Sequence, residues 1–255
     1  MLERDDWDRH WNRYAAAAKR NPAQQMRHAL ITRFLEQRIG GGSAGARILD
    51  IGSGQGDLMV RLHRVFPEAE FLGMELSASG VEISRIKVPA AKFIVADLFQ
   101  PPAELAAWNG WATDAACSEV LEHVDDPVEF LRRARVYLAK GARLVVTVPG
   151  GPMSAFDRTI GHRQHFTRAS IGRTLEAAGF AVERVYLSGF PFFNFYRLLV
   201  ILRGGQLAGD LAGEPTGLAA RLAAGAMTVF RRLFRLNLTD SPFGWQVVAT
   251  ARLSA

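Results

Sequence analysis

The sequence is nearly without cysteine. Its 255 residues include one, Cys117, so no disulfide can form within the chain. A lone thiol fits a reducing compartment, and the expected location is cytoplasmic. Long apolar runs are missing as well. No window holds the ~18 uninterrupted apolar residues of a membrane span. The stretch from Met1 to Tyr14 alternates charges and aromatics without an apolar core, so it does not read as a signal peptide. There is no internal repeat, and no low-complexity tract beyond Gly40-Gly41-Gly42-Ser43, read as a flexible joint. Acids are outnumbered, with 25 Asp and Glu against 31 Lys and Arg, for a net charge of +6. That balance favours anionic partners (nucleic acid, phosphorylated metabolites or an acidic membrane surface) without choosing among them. What remains is ordinary for a packed protein: 49% hydrophobic and 22% charged residues. A chain of this length buries roughly 70–75% of its unfolded surface and needs no disulfide or metal staple. Disordered, collagen-like and polytopic membrane classes are excluded.

Residues 6–38 read as one or two helices. Trp7, Trp11 and Tyr14 share a helical face, and Asn21-Pro22 makes a natural break. From Ala46 short apolar runs alternate with segments of helical period. Strands are expected at Arg47–Ile51, Glu70–Met74, Lys92–Val95, Ala112–Ser118 and Arg143–Val148. Helices are expected at Leu58–Phe66, Ala78–Val88 and Pro127–Ala139. This alternation predicts βαβ units on a parallel sheet. Thr167–Ala178 reads as a helix capped by Thr167 and stopped at Gly179. Val182–Leu187 and Phe243–Leu253 read as closing strands. The expected organisation is a helical lid (1–40), a core (41–189), an apolar, arginine-bearing insertion (190–240) and a last core strand (241–255).

The sharpest signal is Leu49-Asp50-Ile51-Gly52-Ser53-Gly54-Gln55-Gly56, between a strand and a helix. Glycines there let the backbone turn tightly and meet a ligand closely, beside the helix N–H groups. The spacing is G-x-G-x-G, not the G-x-G-x-x-G of dinucleotide folds. Asp50, just ahead of the loop, repels a pyrophosphate and suits a ligand carrying a cationic amine. Glu75 ends the second strand, where a carboxylate can accept both ribose hydroxyls. Asp97-Leu98 follows the third strand. An acid there can accept from an adenine amine while the backbone N–H serves a ring nitrogen. Three strand ends thus converge on one crevice, the place where open α/β sheets bind ligands.

Asp50-x-Gly52-x-Gly54-x-Gly56, Glu75 and Asp97-Leu98 together resemble the successive cofactor motifs of class I S-adenosylmethionine (SAM) dependent methyltransferases. The resemblance runs from about Ala46 to Phe180, with Phe243–Leu253 as the family's last strand. It implies a doubly wound, Rossmann-like, seven-stranded and mostly parallel α/β sheet whose last strand is antiparallel. Asp50, Gly52, Gly54 and Gly56 would then meet the methionine part of SAM. Glu75 would hold the ribose, and Asp97 and Leu98 the adenine. Leu76 and Glu119 are counted with these contacts, and so is Tyr14, because relatives cover SAM with an N-terminal aromatic helix that excludes water.

Cys117-Ser118-Glu119-Val120-Leu121-Glu122-His123-Val124 is similar to the S-E-V-L-E-H-V signature of small-molecule methyltransferases, the ubiquinone-pathway O-methyltransferases among them. Methyl transfer is an in-line displacement at a carbon on a sulfonium. The leaving group is already activated, so positioning supplies most of the catalysis. A hydroxyl acceptor must still lose its proton, and an imidazole of pKa near ~6.5 suits that task. His123 is the first candidate base, against a plain helix-capping role. His162, in the G-H-x-x-x-[YF]-[ST]-like segment Gly161-His162-Arg163-Gln164-His165-Phe166-Thr167, is the second; His165 reads as a loop-packing residue. Some relatives hold a divalent ion with an E-x-x-E-H pattern. Here that pattern is Glu119, Glu122 and His123, two carboxylates and one imidazole that would suit Mg²⁺ or Mn²⁺, and His162 is the other candidate metal ligand. The expectation carried forward is catalysis without metal.

The insertion is very apolar from Gly189 to Arg203, and Arg221–Leu236 is a helical stretch with Arg231, Arg232 and Arg235 and no acid. Such a segment can lie at a membrane interface, roof an apolar substrate pocket, close its own core or form a dimer contact. Nucleic acid is not expected, since no base-flipping N-P-P-Y-type loop follows the fourth strand. The expected activity is methylation of a hydroxyl on a small, apolar, lipid-linked or quinone-like molecule. The alternatives are an amine or sugar acceptor, a nicotinamide oxidoreductase, and a non-catalytic SAM-binding or membrane-binding module.

Overall fold

The computed structural model describes residues 8, 21–40, 42–210 and 217–254. Seven strands form one sheet: β1 (Arg47–Ile51), β2 (Glu70–Glu75), β3 (Lys92–Val95), β4 (Ala112–Ser118), β5 (Leu138–Pro149), β6 (Phe180–Ser188) and β7 (Gln246–Leu253). Their order is β3-β2-β1-β4-β5-β7-β6. The first five pair in parallel, and β7 runs antiparallel to both β5 and β6. The expected antiparallel last strand is present.

The central strands are apolar on both faces because both faces are covered. Leu49 and Ile51 of β1, Ala115 and Cys117 of β4, and Leu144 and Val146 of β5 point into one core. Helices α4 (Pro127–Ala134) and α6 (Arg168–Ala177) close it with Leu131, Ala134, Ile171 and Leu175. The alternate residues Ile48, Ala116 and Val145 point into a second core. That core is closed by α1 (Pro22–Ile39), α2 (Asp57–Val65) and α3 (Ala78–Lys87), through Phe34, Met59, Leu62 and Val81. The chain moves outward from β1 through β2 to β3, then returns to place β4 on β1's other side. The C-terminal ends of β1 and β4 therefore flank the topological switch point.

Local signals explain most helix ends. Asn21 caps α1 by accepting from the Ala23 N–H at 2.9 Å, with Pro22 in the first turn. Thr167 caps α6 through a capping box with Ser170. Two expectations change. The helix expected over Pro127–Ala139 stops at Ala134, and Leu138 instead pairs with Ala112 as the start of β5. Val136, Tyr137 and Leu138 suit a strand as well as a helix, and the sheet edge beside Ala112 decides. Likewise β7 starts at Gln246 rather than Phe243, because a turn closed by the Gly244 N–H on the Ser241 carbonyl (3.1 Å) precedes it.

The insertion forms two helices, α7 (Phe192–Asp210) and α8 (Gly217–Leu233). Phe193 of α7 and Phe234, just past α8, pack on Ala23 and Met26 of α1, forming a third, smaller core. A short helix α5 (Ala155–Thr159) lies between β5 and α6. Among the described residues no helix is long and apolar enough to cross a membrane. Trp7, Trp11 and Tyr14 lie outside the described residues.

Candidate functional site

The glycine loop leaves β1 at Gly52 and enters α2 at Gly56, both with left-handed φ, +74° and +77°. Two glycines are demanded by contact as well as by φ. A Cβ on Gly52 would stand 2.5 Å from Val120 Cγ2, and one on Gly56 would stand 3.2 Å from Ser84 Cα. The N–H groups of Gly52 and Ser53 donate to the Met74 carbonyl at 2.8 and 3.0 Å, which pins the loop to the end of β2.

Glu75 is buried and accepts from the Gly54 N–H (2.8 Å) and, through its other oxygen, from the Ser77 N–H (2.9 Å). It therefore ties the glycine loop to the start of α3. Burial pushes its carboxyl above the ordinary range, against the pull of these N–H donors. Asp50 is buried too, and its Oδ2 has no hydrogen-bond partner. Burial first, and the Glu75 charge second, raise the Asp50 pKa to about 7. Asp97 is half-buried and accepts from the Phe99 N–H at 2.9 Å; Leu98 is buried and Leu76 exposed. The structure thus brings Asp50, Gly52, Gly54, Gly56 and Glu75 together, and sets Asp97 one strand further on. From the leader, Asp8 accepts from the Ser77 hydroxyl (2.5 Å) and the Ser79 N–H (3.1 Å), at the N-terminus of α3 beside Glu75.

A second polar group begins where β4 ends. Glu119 has φ +55°, the only non-glycine residue with positive φ among those described. Holding a residue with a Cβ there costs about 1–2 kcal/mol, and such positions gather at functional sites. Its carboxylate accepts from Gln246 Nε2 at 2.9 Å and lies 3.5 Å from Arg27 Nε. No hydrogen bond joins it to the glycine loop. Nor does it join the histidines: among the described residues the groups within metal-binding reach of one another are Glu122, His123 and His162, and Asp157, His162 and His165, not Glu119 with Glu122 and His123. The expected E-x-x-E-H donor set is corrected on this point, since Arg27 and Gln246 already occupy Glu119.

Glu122 is fully buried and neither of its oxygens has a hydrogen-bond partner. Burial, with Glu119 adding to it, pushes its carboxyl far above the ordinary range. His123 follows it, and its ring meets His162 edge-on, with centroids 4.8 Å apart. His162 Nδ1 lies 3.2 Å from His165 Nε2, and His165 Nδ1 lies 3.2 Å from the Gly151 carbonyl. Burial, then the neighbouring His123, lowers the His162 pKa to about 3, so its ring is neutral near pH 7. Burial lowers His165 as well. The tautomers follow. The Gly151 carbonyl can only accept, so His165 carries its proton on Nδ1. His165 Nε2 then accepts from His162 Nδ1–H, which leaves His162 Nε2 bare as a proton acceptor.

Behind the histidines stands Asp157, fully buried, 4.0 Å from His162 Nδ1 and 3.8 Å from His165 Nε2. Both its oxygens accept from Arg197 Nη2 (3.0 and 2.9 Å), and Oδ2 also accepts from the Ser154 N–H and hydroxyl. Burial would raise this carboxyl, but Arg197 and Ser154 outweigh it and hold it at about 2. Val120 joins the two halves of the site. It sits between Glu119 and the His123 turn, and its methyl group fills the space beside Gly52. A cleft of about 470 Å³ opens at the ends of β5, β6 and β7, lined by Gly151, Phe166, Phe190, Phe243 and Trp245 among others.

The methyltransferase domain family matches residues 18–185, about two thirds of the chain. The chain belongs to that family. Its fold is that of the class I SAM-dependent methyltransferases. A ubiquinone biosynthesis O-methyltransferase from Xanthomonas axonopodis pv. citri (strain 306) is 29% identical over 126 residues, 49% of this chain and 52% of that protein. The chain spans about half the length of the curated relatives it matches. Two solved structures share the fold. One is the complex between the Trm112 methyltransferase activator and a methyltransferase of Haloferax volcanii (TM-score 0.60, 16% identity, 99% of each chain). The other is the geranyl diphosphate C-methyltransferase of Streptomyces coelicolor A3(2), in complex with Mg²⁺, geranyl diphosphate and S-adenosylhomocysteine. Its TM-score is 0.55 at 16% identity, covering 87% of this chain and 78% of that one.

In this methyltransferase domain three residues of the polar network escape a reading of the sequence. Arg27 and Gln246 reach Glu119 from α1 and from the first residue of β7, across 92 and 127 positions. Arg197 reaches Asp157 across 40 positions. The one available signal was a charged residue inside the apolar run from Phe190 to Leu202, with no acid nearby in sequence to pair with it.

Proposed function

We propose that the protein transfers the methyl group of SAM to a hydroxyl of a small apolar molecule, with a histidine of the His123–His162–His165 row taking the proton. The observation that carries this reading is the row itself: His162 and His165, hydrogen-bonded in one direction from Gly151, with the His123 ring edge-on to His162 and its turn packed against the glycine loop through Val120. SAM supplies an electrophilic methyl on a sulfonium. The chain's residues do the rest. Asp50 and the glycines receive the methionine part, Glu75 keeps the loop and α3 together beside the ribose, and Asp97 with Leu98 receives the adenine. The apolar lining of the cleft beside Gly151 favours an apolar acceptor body, and the family's ubiquinone O-methyltransferase relatives agree with a hydroxyl acceptor. His123→Ala is expected to lower kcat by 10²–10⁴ while leaving SAM affinity within about twofold. His162 is neutral down to a pH of about 3, so His162→Ala should lower kcat without moving the acid limb of the pH–rate profile. An undiminished rate in His123→Ala would instead indicate an amine acceptor, which needs no strong base.

A buried carboxyl with no hydrogen bond, such as Glu122 with only His123 Nε2 at 4.0 Å, is satisfied by a proton or by a cation. Glu122, His123 and His162 together fit a divalent ion, which would lower the pKa of a bound hydroxyl. We assign the proton: a neutral Glu122 agrees with its full burial. Exhaustive dialysis against EDTA should therefore leave turnover unchanged, and loss of turnover that Mn²⁺ or Mg²⁺ restores would reverse the assignment.

Asp50 gives the cofactor a pH signature. Its folded pKa, about 7, stands above the ordinary 3.8, so the folded chain holds the extra proton. The stability this contributes is present at low pH and is lost as pH rises from about 4 to about 7. A ligand ammonium beside Asp50 favours the ionised form. The Tm of the free protein should therefore decline over that window, S-adenosylhomocysteine should flatten the decline, and Asp50→Asn should make it shallower, leaving the share of the raised Glu75 and Glu122 carboxyls; thermal melts at stepped pH read all three.

A further inference from the structure

The insertion turns an apolar, cationic face to solvent. On α7 the exposed apolar residues are Phe195, Leu198, Leu199 and Leu202, at i, i+3, i+4 and i+7. That is the spacing with which a helix normally buries itself. Here the opposite side, with Phe193, Tyr196 and Arg197, is the one that packs inward. Leu202 is 74% exposed and Phe195 54%. Next to this stripe, α8 presents Val229 and then Arg232 with Arg231, followed by Arg235 and Leu236, all exposed. The two helices touch through the Phe195 and Phe230 rings, 6.2 Å apart, so the stripe and the arginines form one surface.

Charge decides the occupant. Residues 190–240 contain six arginines (197, 203, 221, 231, 232 and 235) against three acids (Asp210, Glu214 and Asp240), and no acid lies between Gly217 and Thr239. Arg197 is committed to Asp157. Arg231, Arg232 and Arg235 meet no carboxylate among the described residues; Arg231 reaches only the Thr228 hydroxyl, at 3.3 Å. A two-fold contact with a second copy would set this arginine cluster against itself, which disfavours self-association through the face. An acidic groove of nucleic acid would take the arginines but leave the leucines between them exposed. An anionic lipid surface takes both, with the leucines in the acyl boundary and the guanidinium groups at the phosphates.

We propose that the outer face of α7 and α8 docks the protein on anionic membranes, with Phe195, Leu198, Leu199 and Leu202 inserted and Arg231, Arg232 and Arg235 on the headgroup phosphates. This does not rest on the methyl-transfer reading, since the face is read from exposure and charge alone. It would place the insertion's inner side, which carries Arg197 and closes on α1, between the lipid and the histidines. An apolar acceptor could then pass to the site from the bilayer.

The test is flotation of the full chain with phosphatidylcholine–phosphatidylglycerol vesicles, against pure phosphatidylcholine vesicles, at low and high salt. Binding is expected to the anionic vesicles only and to weaken with salt. R231Q/R232Q/R235Q should weaken it about a hundredfold, near fivefold per arginine. L198D/L202D should weaken it at least tenfold. A control that loses three cations elsewhere, R64Q/K140Q/R173Q, should bind like the parent. Far-UV circular dichroism and S-adenosylhomocysteine binding verify that each variant is folded. The proposal fails if the parent ignores anionic vesicles, or if the control weakens binding as much as the arginine triple. It also fails if the parent sediments as a lipid-free dimer that L198D/L202D dissociates, because the face would then belong to a second copy.

Discussion

Gly52→Ala is expected to weaken SAM binding about a hundredfold and to lower turnover with it. Two costs add at this position. The φ of +74° places an alanine in the left-handed region, at about 1–2 kcal/mol. Its Cβ would also stand 2.5 Å from Val120 Cγ2, closer than real carbon atoms approach. The loop cannot back away, because the Gly52 and Ser53 N–H groups are held on the Met74 carbonyl. The strain therefore passes to Val120 and on to the turn that carries His123. Val120→Ala in the same chain removes the collision but not the φ cost. The double variant should recover about tenfold of the lost affinity, measured by calorimetry with S-adenosylhomocysteine. Equal affinity in Gly52→Ala and the parent would mean that SAM does not use this loop.

Arg197→Met should cost about 3–5 kcal/mol of stability, because it leaves the fully buried Asp157 carboxylate without its cation. With Arg197 present, the Asp157 pKa is depressed to about 2. Its contribution to stability therefore stands above the ordinary 3.8 and is lost only as pH falls through about 2. Without Arg197 burial is opposed only by the two Ser154 donors, the carboxyl rises, and the variant should lose less stability, or gain some, on mild acidification, against the slope of the parent. Turnover should fall ten- to a hundredfold with little change in the KM for SAM, since Asp157 stands beside His162 and His165 and not beside the glycine loop. Arg197→Lys should restore part of the rate. The double variant D157N/R197M should regain stability but not turnover, because the charge conflict is gone while the anchor of the histidine pair is still missing. A double variant with full turnover would make the ion pair purely structural.

The arrangement of the glycine loop and its carboxylates could be read from the sequence because its parts are local. A glycine loop, an acid at the end of the next strand and an acid after the one beyond each follow an apolar run whose length and period give the strand away. β3 and β4 fall on their expected residues for that reason. The histidine cluster was legible only in pieces. His123 and His162 stand in recognisable segments, yet nothing local says that their rings meet at 4.8 Å, or that Gly151 sets the tautomers. Glu119 illustrates the limit. The E-x-x-E-H spacing groups it with Glu122 and His123, but the backbone turns to φ +55° at Glu119 and hands its carboxylate to Arg27 and Gln246. Those partners arrive from α1 and β7, and only the assembled sheet brings them there. The boundary between α4 and β5 was missed for a similar reason: Tyr137 and Leu138 are apolar in either element, and the pairing with Ala112 chooses.

The central claim is that this chain moves a methyl group from SAM to a hydroxyl on an apolar molecule. The most direct measurement incubates the protein with methyl-labelled SAM and a deproteinised extract of the cells that make it, then partitions the mixture between organic solvent and water. The account predicts label in the organic phase, in a product that resists the mild acid and base that cleave methyl esters, and none with His123→Ala. Label confined to the aqueous phase, or equal labelling by His123→Ala, would contradict it.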